Sequence, residues 1–526
     1  MSELPEGWVR LPLRDLIDPN GLIADGDWVE SKDQDVNGDI RLLQLADVGD
    51  GVFLDRSTRY VNEDAFRRLR CTELRPGDVL VARMPDPLGR ACITPNLSQR
   101  AITVVDVAIV RPANPAISTA WLKNFLNSPE IRREMELLAS GTTRRRISRS
   151  KLEGIEIPVP PPLEQIRIAG RLESLFAQLS ECRTRLKRAS EILKRFREAV
   201  LEAAVSGRLT QEWRSLNPTL IDATKDADKV RKYHDDAGGH AKGNAAPPSN
   251  NVHDLEQSMF PEGWALVELR DLVDPDRPIT YGILKPGDNL RAGVRYVRVA
   301  DYPDNGLNIS TIRRTSPAID QQFARSRLRD GDLLLSIRGT VGRVIEVPKE
   351  LEGANITQDS ARLSIQRSVD RRYVLWFLRS RVAQLRMQRA IKGVAVRGIN
   401  IGDVRALQIP LPSRDEQREI VRRTEELVAI ANSLERQILG ALSRVSRLGP
   451  SILSKAFQGR LIPQDPGDEP VAAARNMLGV REGQLDSGKP IPHRRGSTGV
   501  ARKPKRRQPA HGQGEIRATR KARVRI

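Results

Sequence analysis

Histidine is scarce in this sequence: there are five, His234, His240, His253, His493 and His511, and all fall outside the segments with regular hydrophobic patterning. A general base or metal ligand needs a rigid, partly dry setting, so these positions exclude a histidine-based active site in the patterned body of the chain. Cysteine is scarcer still. Cys71, Cys92 and Cys182 are odd in number and far apart, which argues against a disulfide framework and gives no metal-ligand spacing. No metal site is expected. No run of 18 apolar residues and no secretory leader pattern occurs, so no membrane span is expected and the expected location is cytoplasmic. Also missing are the GxxxxGK[ST] phosphate loop, GxGxxG after a strand, HExxH, CxxC and GxSxG. Acid-proline pairs such as Asp18-Pro19 lack the second proline and the aromatic of the Asn/Asp-Pro-Pro-Tyr loop used by amino-methyltransferases. Without such a constellation, no catalytic residues are assigned.

What is present is a doubled pattern. Over residues 162–205, apolar or small residues recur alternately four and three apart at Ile168, Leu172, Leu175, Leu179, Cys182, Leu186, Ala189, Leu193, Phe196, Val200 and Ala203. That is a heptad seam, and it makes Cys182 a core residue by expectation. A second seam follows 252 residues later at Ile420, Leu427, Ala431, Leu434, Ile438, Ala441, Val445, Leu448 and Ile452, slipping only at Thr424 and Lys455. Start signals precede both, prolines 160 to 162 in one and a capping box from Ser413 to Glu416 in the other. Gly207 and Gly459 close them. Gly449-Pro450 interrupts the second seam, where a kink or break is expected because proline donates no helical hydrogen bond.

Self-comparison extends the duplication to the rest of the chain. Pro5-Glu6-Gly7-Trp8 recurs as Pro261-Glu262-Gly263-Trp264, Leu74-Arg75-Pro76-Gly77-Asp78 as Leu328-Arg329-Asp330-Gly331-Asp332, and Glu164-Gln165 as Glu416-Gln417. Each half reads as a globular part followed by a long helix: 1–160 and 161–207, then, after a linker at 208–258, 259–412 and 413–460. In the globular parts, short strands are expected at 79–82, 102–110, 154–159, 294–300, 332–337, 342–347 and 361–365, with helical spacing at 120–139 and 372–391. The fold class is α+β, with two equivalent domains separated by two long helices. If those helices pair antiparallel, a pseudo-two-fold axis relates the halves; pairing with helices of other proteins is the alternative.

The net charge is +20, which favours an anionic partner. Much of it lies in a basic tail, 461–526, where the stretch from His493 to Ile526 holds 12 Lys or Arg against one acid, Glu515. That composition predicts disorder and sequence-independent affinity for phosphate. In the body, basic residues cluster where strands end. Arg83 and Arg90 follow a strand in the first half, Arg338 and Arg343 in the second. A further group, Arg144, Arg145, Arg146 and Arg149, precedes the last strand, matched by Lys392 and Arg397. Glycine in such loops lets backbone approach phosphate, and arginine contacts phosphate or guanine, so these are the candidate DNA-binding residues. Trp8 and Trp264 stand out in a chain with 4% aromatics; packing against their own domain is favoured over stacking on a base.

The PEGW segments followed by Leu-Arg-Asp-Leu, the stretch from Gly331 to Gly342 and Ile157-Pro-Val-Pro-Pro-Pro-Leu-Glu-Gln165 resemble the specificity subunit of type I restriction-modification systems. The resemblance covers residues 4–461 and implies a noncatalytic DNA-reading subunit. Two target recognition domains would each read half of a bipartite, asymmetric site, with the helices as a ruler. It also implies double-stranded DNA, two methyltransferase subunits and two restriction/translocase subunits as partners, with S-adenosylmethionine, ATP and Mg used by those subunits and no cofactor in this chain. A noncatalytic coiled-coil scaffold, or a DNA-binding protein without a restriction role, is the competing reading.

Overall fold

The structure is a computed structural model that describes residues 4–85, 87–141, 144–236, 260–303, 306–391 and 397–471. Two 44-residue helices, α1 (Pro162–Val205) and α2 (Arg414–Phe457), organise it. At about 1.5 Å per residue each is about 66 Å long. They run antiparallel. Thr210 just beyond the end of α1 bonds Glu416 at the start of α2, Arg197 reaches Asn432 and Glu435, and Phe176 lies 3.8 Å from the Cβ position of Gly449.

The seam closes unevenly. Leu172, Leu193 and Ala431 are buried, whereas Leu175, Leu179, Leu186, Leu427, Ile438 and Val445 are half-buried and Leu434 is exposed. Two helices alone present a narrow contact that solvent reaches from both sides. For the same reason Cys182 is exposed, contrary to the expectation of a core position. The break expected at Gly449-Pro450 does not occur: α2 continues through Pro450 to Phe457.

Each globular domain holds the same strands in the same order. In the first, a four-stranded antiparallel sheet runs Leu22–Asp25, Val107–Arg111, Val79–Ala82, Ala91–Ile93. A three-stranded sheet, Tyr60–Val61, Ile40–Leu43, Ala101–Thr103, contains one parallel pairing. The second repeats this with Thr280–Tyr281, Ser360–Leu363, Leu333–Ser336, Val344–Glu346 and with Arg313–Thr315, Val294–Val297, Asn355–Ile356. In both, a two-stranded clamp joins the segment after the PEGW turn to the strand before the long helix: Val9–Pro12 with Glu156–Val159, and Ala265–Glu268 with Gln408–Leu411. The helical stretches at 120–139 and 372–391 are each two helices. Pro129 starts a new one after Thr119–Leu126, and Ser380 caps Arg381–Arg389.

Repeated motifs find their causes here. Gly77 and Gly331 take positive φ, 90° and 80°, where a side chain is disfavoured. The turn each makes lets Asp78 and Asp332 accept from the amides of Arg75 and Arg329. Both aspartates are buried and each binds an arginine through two bonds, Arg111 in one half and Arg277 in the other.

The chain also crosses over at its ends. Ala204 and Val205 of α1 sit in the core of the second domain, while Leu453, Ala456 and Phe457 of α2 sit in that of the first. Residues after each helix follow. Of the segment expected to be a linker, 208–236 is ordered, with Ala223, Ala227 and Val230 buried and Thr224–Asp236 helical. At the other end, part of the segment expected as a tail is described. Residues 461–471 pack on the first domain through Leu461, Ile462 and Val471, and Arg167 binds Asp468. The strongly basic stretch from His493 lies outside the described residues, as does 237–259.

Candidate nucleic-acid interface

Beneath each domain a buried carboxylate ties three segments together. The indole N–H of Trp8 donates to Glu164 at 2.9 Å, and that of Trp264 donates to Glu416 at 2.9 Å. Both tryptophans are buried. Gln464, from beyond α2, donates to Glu164, and Thr210 and Arg214, from beyond α1, donate to Glu416. The neighbouring glutamines act on the preceding loops: Gln165 accepts from the amide of Ser118, and Gln417 from that of Asp370. The PEGW and Glu-Gln repeats are therefore two halves of one lock. Because Glu416 turns inward, the Ser413 capping box is only half made, with Ser413 accepting from the Glu416 amide.

The open face of each domain carries a cleft at the ends of the central strands. In the first domain it measures about 560 Å³ and is lined by Asp27, Trp28, Glu30, Leu45, Arg59, Met84, Asp106, Arg144 and Arg146, among others. In the second it measures about 470 Å³ and is lined by Val299, Ala300, Arg338, Gly339, Thr340, Arg343 and Asp359. The two are structurally equivalent. Leu45 and Val299 begin matching turns, and the amides of Arg83 and Ile337 donate to the carbonyls of Asp106 and Asp359 at 2.9 and 2.8 Å.

The candidate arginines separate into groups. Arg338 is exposed and Arg343 half-buried in the second cleft, with Arg397 exposed nearby, its carbonyl accepting from the Gly339 amide. Arg144 and Arg146 line the first cleft, Arg146 also donating to the Val105 carbonyl. Arg145 and Arg149 are exposed, the first reaching the Glu136 carbonyl and the second pairing with Glu153. Arg90 is half-buried and donates to the Leu45 carbonyl. Lys392 lies outside the described residues. Arg83 is a correction: it is 4% exposed, pairs with Asp25, and donates to the carbonyls of Ile147 and Val105. A guanidinium so enclosed serves the cleft walls and cannot reach a duplex.

Sequence reasoning missed Trp28, Arg59, Asp106 and Asp359. Trp28 is 67% exposed on the rim of the first cleft, and Leu284, at the matching place in the second domain, is 50% exposed. Each follows a residue bridged to the adjacent strand end, Asp27 to Val104 and Ile283 to Thr357. Burial pushes the Asp27 carboxyl up to about 6, against the Thr72 amide and the Cys71 thiol that favour its charged form. Among the described residues no cluster could hold a metal ion and no helix is long and apolar enough to cross a membrane.

A family model described as the type I restriction modification DNA specificity domain matches residues 261–444. The chain is 35% identical over 332 residues to the specificity subunit of the type I restriction enzyme EcoBI from Escherichia coli, covering 63% of this chain and 64% of that protein. It thus spans just under two thirds of that relative's length. To the EcoKI specificity subunit of Escherichia coli strain K12 it is 27% identical over 486 residues, 89% of this chain and 92% of that one. In fold it matches the HsdS subunit from Thermoanaerobacter tengcongensis, with a TM-score of 0.52 at 19% identity over 88% of this chain and 99% of that one. A chain from structural work on assembly and conformational transition of the type I R-M system gives 0.62 at 19% identity, over 88% of this chain and 100% of that one. With two equivalent domains on one pair of antiparallel helices, the chain is similar in sequence and in fold to type I restriction-modification specificity subunits.

Proposed function

We propose that this chain reads a bipartite, asymmetric DNA site, one half with each cleft, and directs adenine-N6 methylation and restriction performed by partner subunits. The observation that carries the reading is the pair of equivalent clefts held apart by a helical strut about 66 Å long. Reading at two points along a duplex requires such a rigid separator, and half-site spacing then follows from its length. Arg338 and Arg343, and in the first cleft Arg59, Arg144 and Arg146, supply phosphate contacts and guanine recognition. The two methyltransferase subunits would use S-adenosylmethionine, and the two restriction/translocase subunits ATP and Mg.

The test is single-molecule methylome sequencing of source cells before and after deletion of the gene. Loss of N6-methyladenine from one bipartite motif is the expected result. An unchanged methylome, with the methyltransferase expressed and active, overturns the reading in favour of a scaffold.

A further inference from the structure

Each cleft contains a carboxylate that its surroundings do not explain. Asp106 and Asp359 occupy the same place, one residue before the strands Val107–Arg111 and Ser360–Leu363, and both line their clefts. Both are half-buried, and neither side chain makes a hydrogen bond or an ion pair with a described residue. Their carbonyls hold the adjacent loop, a job any residue could do. Beyond the electrostatic pull of Asp106 on the buried Arg83 guanidinium, the fold gives these side chains no partner among the described residues.

In a cleft that faces DNA, an unpartnered carboxylate weakens binding to the phosphate backbone, because like charges repel across a few ångströms. A carboxylate accepts hydrogen bonds only, and the donors a duplex offers in its major groove are the amino groups N4 of cytosine and N6 of adenine. We infer that Asp106 and Asp359 are specificity-determining residues, each accepting a hydrogen bond from the amino group of one cytosine or adenine in its own half-site. The arginines beside them, Arg146 in one cleft and Arg338 and Arg343 in the other, hold the backbone or a guanine while the aspartate rejects bases that present an acceptor. Thymine O4 and guanine O6 would face the carboxylate with like polarity. This inference rests on the bipartite reading and makes it specific.

Asp106→Ala and Asp359→Ala separate the possibilities, because alanine removes both the acceptor and the charge, whereas asparagine would keep an acceptor oxygen. Each full-length variant is expressed with its methyltransferase partner in cells lacking the gene, and the modified motif is sequenced. In the expected result, one fixed cytosine or adenine in one half of the motif becomes degenerate and the other half is unchanged. The two variants affect opposite halves. A motif identical to wild type, degeneracy in both halves at once, or a change confined to a guanine overturns the inference. The bipartite reading itself fails separately, if the wild-type chain yields no bipartite motif. Should a variant give no modification at all, binding of the purified full-length chain to a random-sequence duplex decides. Removal of the repelling charge is expected to raise that affinity several-fold, and a fall in affinity overturns the proposal.

Discussion

The locks that tie each domain to the long helices and the clefts at the strand ends have diverged to different degrees. In the locks, Trp, Glu and Gln recur at matching positions with the same 2.9 Å indole bond. In and beside the clefts, Asp106 and Asp359, Arg90 and Arg343, and the turn at Leu45 and Val299 correspond in kind, whereas other positions differ. Trp28 faces Leu284, Met84 faces Arg338, and Arg83 faces Ile337. The lock sets where the helices leave the domain, so a change there moves the whole strut. A cleft can change without that cost, and this freedom is what the proposed reading of two different half-sites requires.

The locks are alike in plan and unlike in strength, which gives the largest expected effect. Glu416 is fully buried and accepts from Trp264, Thr210 and the Arg214 guanidinium. Glu416→Ala leaves the half-buried Arg214 guanidinium and two neutral donors unpaired and is expected to cost about 3 kcal/mol. Glu164 has only neutral donors, Trp8 and Gln464, while Arg167 is taken by Asp468. Glu164→Ala is therefore expected to cost about 1–3 kcal/mol. Urea denaturation of the two variants checks the order. Equal losses would mean that the Arg214 contact adds nothing.

The helices offer a second contrast. α1 contains no internal proline, whereas α2 carries the exposed Pro450 in its last turns and stays continuous. Pro450→Ala restores one backbone donor and removes the ring clash, so stability is expected to rise by about 1–3 kcal/mol. A rise in melting temperature with unchanged DNA site spacing would show that the proline has no part in the ruler. A loss of stability would show that the ring is needed where α2 docks into the first domain.

Much of the architecture was legible because it is periodic or repeated. The two seams fall on the two long helices, and the repeated motifs recur at equivalent places in the two halves. Arg83 was misread because its partner Asp25 is 58 positions away and on another strand, so nothing local distinguished it from a surface loop residue. Cys182 was misread because heptad spacing defines a face without saying how many helices cover it. Trp8 and Glu164 were each visible as repeats, yet the bond between them spans 156 residues and became visible only in three dimensions. Asp106 and Asp359 carry no sequence signal beyond their offset of 253, which becomes informative once the strands are aligned.

The smallest effect sharpens the comparison of the clefts. Asp27 stands where the second domain has the fully buried Ile283. Its carboxyl titrates near 6, above the ordinary 3.8, chiefly because burial disfavours the charge. Folding therefore favours the protonated form. The stability this group contributes is complete below about pH 4 and is lost as pH rises through about 6. Asp27→Asn removes the titration while keeping an oxygen to accept from Thr72. The variant is expected to melt higher than wild type above pH 7, with the gap closing as pH falls from 6 to 4. If the gap instead stays constant across that range, Asp27 does not titrate in the folded chain. The cost at neutral pH would then lie in the shape of the cleft floor and not in the charge it holds.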